Sequence, residues 1–392
     1  MEQPIIEPVS LDLIKAELTP EKKLRDTNKG GNEIYVIDWK DSPNILREIG
    51  RLREITFRAA GGGTGKAADI DEFDLMENPC KQLIIWDPDA EAILGGYRFI
   101  LGPDIALMDN GQPRLATSHL FHFSEKFLRD YLPHIIELGR SFVTPEYQSS
   151  KAGAKALFAL DNLWDGLATL MILHPQMTYF FGKVTMYPTY DRCGRDLILH
   201  FMAKHFPDGE GLVIPFNPIR IEHDPRMMDL ILKSDDFKDD YKLLKEAIRS
   251  LGTTIPPLVN AYMNTSPEMK FFGTAVNDEF GDVEETGILV SFDEMYHEKR
   301  ARHVESYIRQ KIAQMRDRFP HLSEKSLERV TRRLGVQAQE YPAEGQGEDQ
   351  SEVAVPSFLA RMRLRRPLFN DRGRVLSDES SHSRARSYCS SI

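Results

Sequence analysis

The sequence is poor in cysteine and has no long apolar run, and both absences narrow what the chain can be. Three cysteines, Cys80, Cys193 and Cys389, are spread over 392 residues. They are far apart and odd in number, and none belongs to a CxxC pair. That spacing argues against a disulfide framework and against a thiolate zinc site, and it suits a reducing compartment. No stretch reaches the roughly 18 uninterrupted apolar residues of a spanning helix. The best candidate, residues 154–173, is interrupted by Asp161, Asn162 and Asp165. The first residues, MEQPIIEPVS, lack the basic start and apolar run of a secretory signal. An excess of positive charge is missing as well. The formal net charge is −10, which argues against broad nucleic-acid binding. These features predict a cytoplasmic protein.

What remains is ordinary for a globular chain: 41% apolar and 28% charged residues, long enough for two or three domains. Residues 1–30 form a polar extension, with a short helix expected in residues 5–18 ahead of Pro20. Residues 31–296 alternate strands and helices. Strands are expected at residues 33–39 (EIYVIDW), on either side of Pro88-Asp89 (QLIIWD and AILGGYRFIL), at 134–143 (HIIELGRSFV), at 177–188, and in a late pair around 277–281. Helices are expected at 46–57, with Asp41 and Ser42 as candidate caps, at 152–173 and at 195–204. This order implies a mixed α/β sheet in one layered domain.

The C-terminal part differs. Residues 297–339 read as a helical extension dense in Lys299, Arg300, Arg302, Arg309, Lys311, Arg316, Arg318, Arg329, Arg332 and Arg333. Acidic residues are interspersed, as on a solvated helix pair. Residues 340–392 read as a disordered tail. Within it, residues 358–369 (FLARMRLRRPLF) alternate apolar anchors with arginines, a pattern suited to an anionic membrane surface or an acidic partner.

Several charged residues stand where burial is expected. Arg53 and Phe57 are four apart and share a helix face. Asp71 and Asp74 follow a glycine-rich loop, and Arg98 lies on an apolar strand. Glu137 and Arg140 share another strand and, if it is regular, point to opposite faces. Residues 148–153 (QSSKAG) lead into the long helix. Each residue alone is more often a structural ion-pair partner. Together, these arginines, aspartates and the glutamate near apolar strands are costly to bury unless they converge.

Arg53…Phe57, the Asp71-Glu-Phe-Asp74 run, Gly-Gly-Tyr-Arg98 and Glu137-Leu-Gly-Arg140 resemble the signature of acyl-homoserine-lactone synthases. The chain is more similar still to the haemolysin-like acyltransferases of the GNAT superfamily, which include ornithine-lipid and glycine-lipid N-acyltransferases. Pro256-Pro257-Leu258 and the late strand pair extend the resemblance, which covers about residues 31–296. Gly61-Gly62-Gly63-Thr64-Gly65 stands where autoinducer synthases carry an aromatic residue, and the chain is longer than those enzymes. Both departures favour the lipid-forming branch.

The resemblance implies a GNAT-like mixed sheet with flanking helices, and a fatty or 3-hydroxy fatty acyl group moved from a thioester to the amine of glycine or ornithine. No cofactor is implied; the co-substrate is acyl carrier protein, with its phosphopantetheine thioester, or acyl-CoA. Glu137 is the expected base, since the attacking amine must be neutral. Arg98 and Arg140 suit the acceptor's carboxylate, with Asp71 and Asp74 orienting them. Gln148, Lys151 and Gly153 approximate the pantetheine-binding turn at a helix start. The basic residues of 299–333 complement an acidic carrier. An autoinducer synthase and a non-enzymatic, membrane-active haemolysin remain the alternatives.

Other motifs lack a necessary part. GGGTGK is one residue short of a phosphate loop, and Ala67 replaces its Ser/Thr. His119 and His122 lack further ligands, there is no G-x-S-x-G elbow, and Cys193 has no identifiable base.

Overall fold

The computed structural model describes residues 2–148 and 154–318. Its strands are β1 (Lys23–Asp26), β2 (Glu33–Ile37), β3 (Lys81–Asp87), β4 (Ala92–Leu101), β5 (Phe121–Phe123), β6 (Ile135–Val143), β7 (Tyr179–Met186), β8 (Val213–Pro215), β9 (Lys270–Asn277) and β10 (Val283–Ser291). Its helices are α1 (Leu11–Glu17), α2 (Pro43–Ala60), α3 (Glu72–Leu75), α4 (Ala154–Leu173), α5 (Arg192–His205), α6 (Pro225–Ile231), α7 (Phe237–Ser250), α8 (Pro257–Met263), α9 (His297–Arg300) and α10 (Ser306–Arg318). Eight strands form one sheet in the order β1-β2-β3-β4-β6-β7-β10-β9, and β5 pairs with β8. The neighbours in the large sheet are antiparallel except β6 and β7, which are parallel. A parallel pair needs a crossover, and α4 provides it. This is the mixed sheet with flanking helices expected from the sequence.

The central strands are apolar because both faces are covered. In β3, six of the seven residues are buried. On one face, Ile45, Ile49, Leu52 and Phe57 of α2 pack with Tyr35, Ile37, Ile84 and Trp86. On the other lies α4. A Cβ at Gly166 would fall 2.7 Å from Leu83, the strand neighbour of Ile84 that points the opposite way. Trp164 of α4 packs edge-on against Phe180 and Tyr262, with centroids 6.3 and 5.5 Å away.

The start of α2 departs from the sequence expectation. Ser42 is the N-cap residue but its side chain makes no cap bond; its hydroxyl donates to Asp41 instead. The orphan N–H groups of Asn44 and Ile45 donate to the Glu17 carboxylate at 3.1 and 2.8 Å. A distant acid at the end of α1 therefore does the work of a local cap, and its charge suits the positive end of the helix. The sequence reading also left residues 206–254 unassigned, where α6, α7 and β8 lie. With β1 and β5, the strand β8 is too short to carry a periodic signal.

The chain divides into two compact units. One comprises the residues up to Ala168 and Met177–Arg300, and it contains the large sheet. The other comprises Thr169–Gln176 and the described residues from Ala301, which include α10. Among the described residues no helix is long and apolar enough to cross a membrane. Arg329, Arg332 and Arg333, and the whole of residues 340–392 with the 358–369 segment, lie outside the described residues.

Replacing Glu17 by Ala removes two capping bonds from α2. The expected cost is about 0.5–2 kcal/mol, read as a lower urea midpoint, with Glu17→Gln recovering part of it.

Candidate active site

The charged residues singled out in the sequence form one buried row in which cations and anions alternate. Arg53 projects from α2 and is fully enclosed. Its Nη1 lies 3.4 Å from both Asp74 carboxylate oxygens, and its Nη2 donates to Gln82 on β3. Gln82 Nε2 donates to Asp74 Oδ1 at 2.9 Å. Arg98 on β4 places Nη1 2.6 Å from Asp71 and 3.4 Å from Asp74. Arg140 Nε lies 2.8 Å from Asp69, and its Nη2 3.4 Å from Asp71. The aspartates are held by local geometry. Asp71 caps α3 and Asp74 bonds back to the Asp71 N–H, a reciprocal capping box.

Three guanidinium groups thus meet three carboxylates, which offsets the cost of taking six charges out of water. Burial alone would raise the pKa of Asp71. Arg98, then Arg140 and Arg53, outweigh burial and hold it well below the usual carboxylate range.

Glu137 and Arg140 do not diverge as a regular strand requires. In the β4–β6 ladder Gly96 pairs with Phe142 and Arg98 with Gly139. Three residues of β6 therefore span two of β4, which is a bulge. Within it Arg140 adopts φ +48°, a left-handed conformation that costs a non-glycine residue about 1–3 kcal/mol. The bulge turns Arg140 toward the aspartates that Arg98 also binds. Its guanidinium carbon sits 4.5 Å over the Phe280 ring, which packs edge-on against Phe57 at 5.1 Å.

Next to the bulge the two parallel strands part. The β6–β7 ladder ends at Leu138 and Gly182. The strands approach so closely there that a Cβ on Gly182 would fall 2.5 Å from the Leu138 carbonyl oxygen. Beyond that point Gly139, Arg140 and Ser141 have no ladder partner on β7, and a cavity of about 420 Å³ opens. Phe57, Arg140 and Gln148 line it. Arg53, Asp71, Asp74, Arg98 and Glu137 are not part of that lining. Arg98 lies off the cavity with its guanidinium against Asp71 and Asp74. Gln148 Nε2 donates to the Val143 carbonyl at 2.6 Å. Lys151 and Gly153 lie outside the described residues.

Glu137 is buried on β6, opposite Ile100 and Phe181. Burial pushes its pKa up, against the opposing charges of Arg98 and Lys183. The sequence reading overlooked Lys183, Glu285, Tyr97 and Tyr262, all of which line the cavity. Lys183 and Glu285 lie on different strands, and neither shows its partner in the local sequence. The GGGTGK loop is not a phosphate cradle. The N–H groups of Thr64 and Gly65 donate to Glu54 at 3.1 and 2.8 Å, so a carboxylate of the protein occupies the loop.

Removing one member of the row leaves partners charged and buried. Asp74→Ala should cost about 3–5 kcal/mol in urea unfolding. Asp71 is held below its ordinary value of 3.8. Its ionised form therefore stabilises the fold above that pH, and the contribution is lost as the pH falls further. Asp71→Asn should flatten the acid limb of a stability–pH curve.

Known proteins share this sequence. The acetyltransferase (GNAT) domain family matches residues 52–157. Two curated relatives, from Phocaeicola vulgatus and Bacteroides thetaiotaomicron, are each named glycine N(alpha)-acyltransferase. They are 60% identical over 306 and 304 residues, covering 78% of this chain and 94% and 90% of theirs. A solved structure of the CoA-dependent acyl-homoserine lactone synthase BjaI, with SAM and isopentyl-CoA, aligns at 10% identity over 79% of this chain and 92% of its own, with a TM-score of 0.29. The chain belongs to the family of GNAT acyltransferases that contains the two glycine N(alpha)-acyltransferases.

Proposed function

We propose that the protein transfers a fatty or 3-hydroxy fatty acyl group from the thioester of acyl carrier protein to the amine of glycine, giving an N-acylated amino acid for aminolipid synthesis. The observation that carries this reading is the cavity at the parting of β6 and β7, in a chain 60% identical to two proteins named for glycine N-acylation.

The chemistry is assigned to the lining and to Glu137, the residue next to Leu138 of that lining. Backbone N–H groups of the parted strand can bind the oxygen that becomes negative when the amine attacks the thioester carbonyl. Apolar residues such as Phe142, Val143 and Leu258 receive the acyl chain. Glu137 accepts the amine's proton, directly or through a water, as the C–N bond forms. The C–S bond then breaks, and the thiolate takes that proton from Glu137 and leaves as a thiol. A carboxylate whose pKa is raised by burial is a stronger base, closer to the working pH. Arg98 acts through its neighbours: by fixing Asp71 and Asp74 it holds Arg140 at the cavity wall. Gln148, with Lys151 and Gly153, is assigned to the pantetheine arm. An acidic carrier suits the basic residues from Lys299 to Arg318.

Purified protein, offered glycine or ornithine with either acyl donor, should release N-acylglycine detectable by mass spectrometry, faster from the carrier protein. Glu137→Gln should lower kcat by about 10²–10⁴-fold. The base works only when ionised, so activity should rise with pH through a value above the ordinary 4.5 of a glutamate, and the variant should lose that limb. An acylated lactone as product would move the protein to the signalling branch.

A further inference from the structure

The cavity carries charges that the transfer chemistry above does not use. Lys183 on β7 and Glu285 on β10 both line it. The ladder sets Thr185 opposite Glu285 and Gly287 opposite Lys183. Residues two apart on a strand share a face, so Lys183 and Glu285 are diagonal neighbours on one surface. Their side chains form an ion pair, 9% and 3% exposed. Glu285 Oε2 is the atom that meets the Lys183 ammonium. The third charged residue of the lining is Arg140.

A buried ion pair is a poor device for stability alone, since apolar residues of similar volume commonly do as well. Its value here lies in where it faces. Two cations and one carboxylate look into a cavity otherwise lined by polar-neutral and apolar side chains. The cations also repel one another: burial first, and then the charge of Arg140, pull the Lys183 pKa down, and only Glu285 and the more distant Glu137 oppose them. An incoming anion would relieve that repulsion. A zwitterionic amino acid brings a counter-charge for each side of the pair, a carboxylate for the cations and an ammonium for Glu285.

We infer that Lys183, Arg140 and Glu285 form the acceptor subsite, with Lys183 and Arg140 binding the carboxylate of a small amino acid and Glu285 its ammonium group. This rests on the reading of the protein as an amino-acid N-acyltransferase. It assigns to Lys183 the part that the sequence suggested for Arg98. Arg140 remains committed to Asp69 and Asp71 on one side, which leaves the Lys183 ammonium as the more adjustable donor to an acceptor carboxylate.

The test compares glycine with glycinamide, which has the amine but no carboxylate. The wild type should prefer glycine in kcat/KM by about ten- to a hundredfold, the worth of one charged hydrogen bond. Lys183→Met should erase that preference by raising the KM for glycine, with the KM for the acyl donor within about twofold. Lys183→Arg, which keeps the charge, should retain most of it. Glu285→Gln should weaken both acceptors alike. Wild-type protein that acylates glycine and glycinamide equally would overturn the subsite alone, without recourse to any variant. So would a folded Lys183→Met protein whose preference is intact. Wild-type protein that acylates no small amino acid would overturn the functional reading, and the subsite with it.

Discussion

The site depends on Arg98. Its guanidinium is fully enclosed on a central strand, and such a charge is tolerated only with carboxylates against it. Asp71 and Asp74 supply them, and each is tied in turn to a second arginine from a different element, Arg140 on β6 and Arg53 on α2. One buried charge thus binds α2, the segment around α3, β4 and β6 into a frame. The capping box of α3 adds stiffness, because the aspartates that pair with arginines also satisfy the backbone of their own short helix. Loss of any one member would take a charged partner from its buried neighbours, so the frame is held as a whole.

The frame also explains the strained strand. A regular β6 would carry Arg140 to the face away from Asp69 and Asp71. The bulge with a left-handed Arg140 brings it back, and two carboxylate partners offset a backbone cost of about 1–3 kcal/mol. The same irregularity lies next to the point where β6 leaves β7. The cavity is consequently built on rigid strands, with its polar groups fixed before any substrate arrives, which is the arrangement that stabilises developing charge best.

Much of this was legible in the sequence because strand periodicity and lone charges are local signals. EIYVIDW, AILGGYRFIL and HIIELGRSFV read as strands because β-branched and aromatic residues cluster there. Arg98 and Glu137 stood out as charges inside apolar runs. The convergence of Arg53, Asp74, Arg98, Asp71 and Arg140 was foreseeable on energetic grounds, since none could be buried alone. What could not be read was direction. A one-residue bulge reverses the face of Arg140 without leaving a mark in composition. Arg98 lies off the cavity with its guanidinium against Asp71 and Asp74, a matter of tertiary distance. The Glu17 cap of α2 joins residues 27 and 28 positions apart, beyond any local pattern. Lys183 and Glu285 were passed over because each looks like a solvated charge until the two strands are aligned.

Two carboxylates near Arg98 show how position divides their labour. Both are largely screened from water, and burial alone would raise both pKa values. Asp71 accepts a 2.6 Å bond from Arg98 and also has Arg140 beside it, so attraction overcomes burial and it remains an anion. Glu137 senses Arg98, Lys183 and Arg140 chiefly as charges at a distance. Burial prevails there and its proton affinity rises. A carboxylate locked in an ion pair would be a poor proton acceptor, while one lifted toward neutrality is a useful one. The same arginine that keeps Asp71 an anion leaves the proton affinity of Glu137 raised, so the frame and the proposed base are separated by how closely each acid meets one guanidinium.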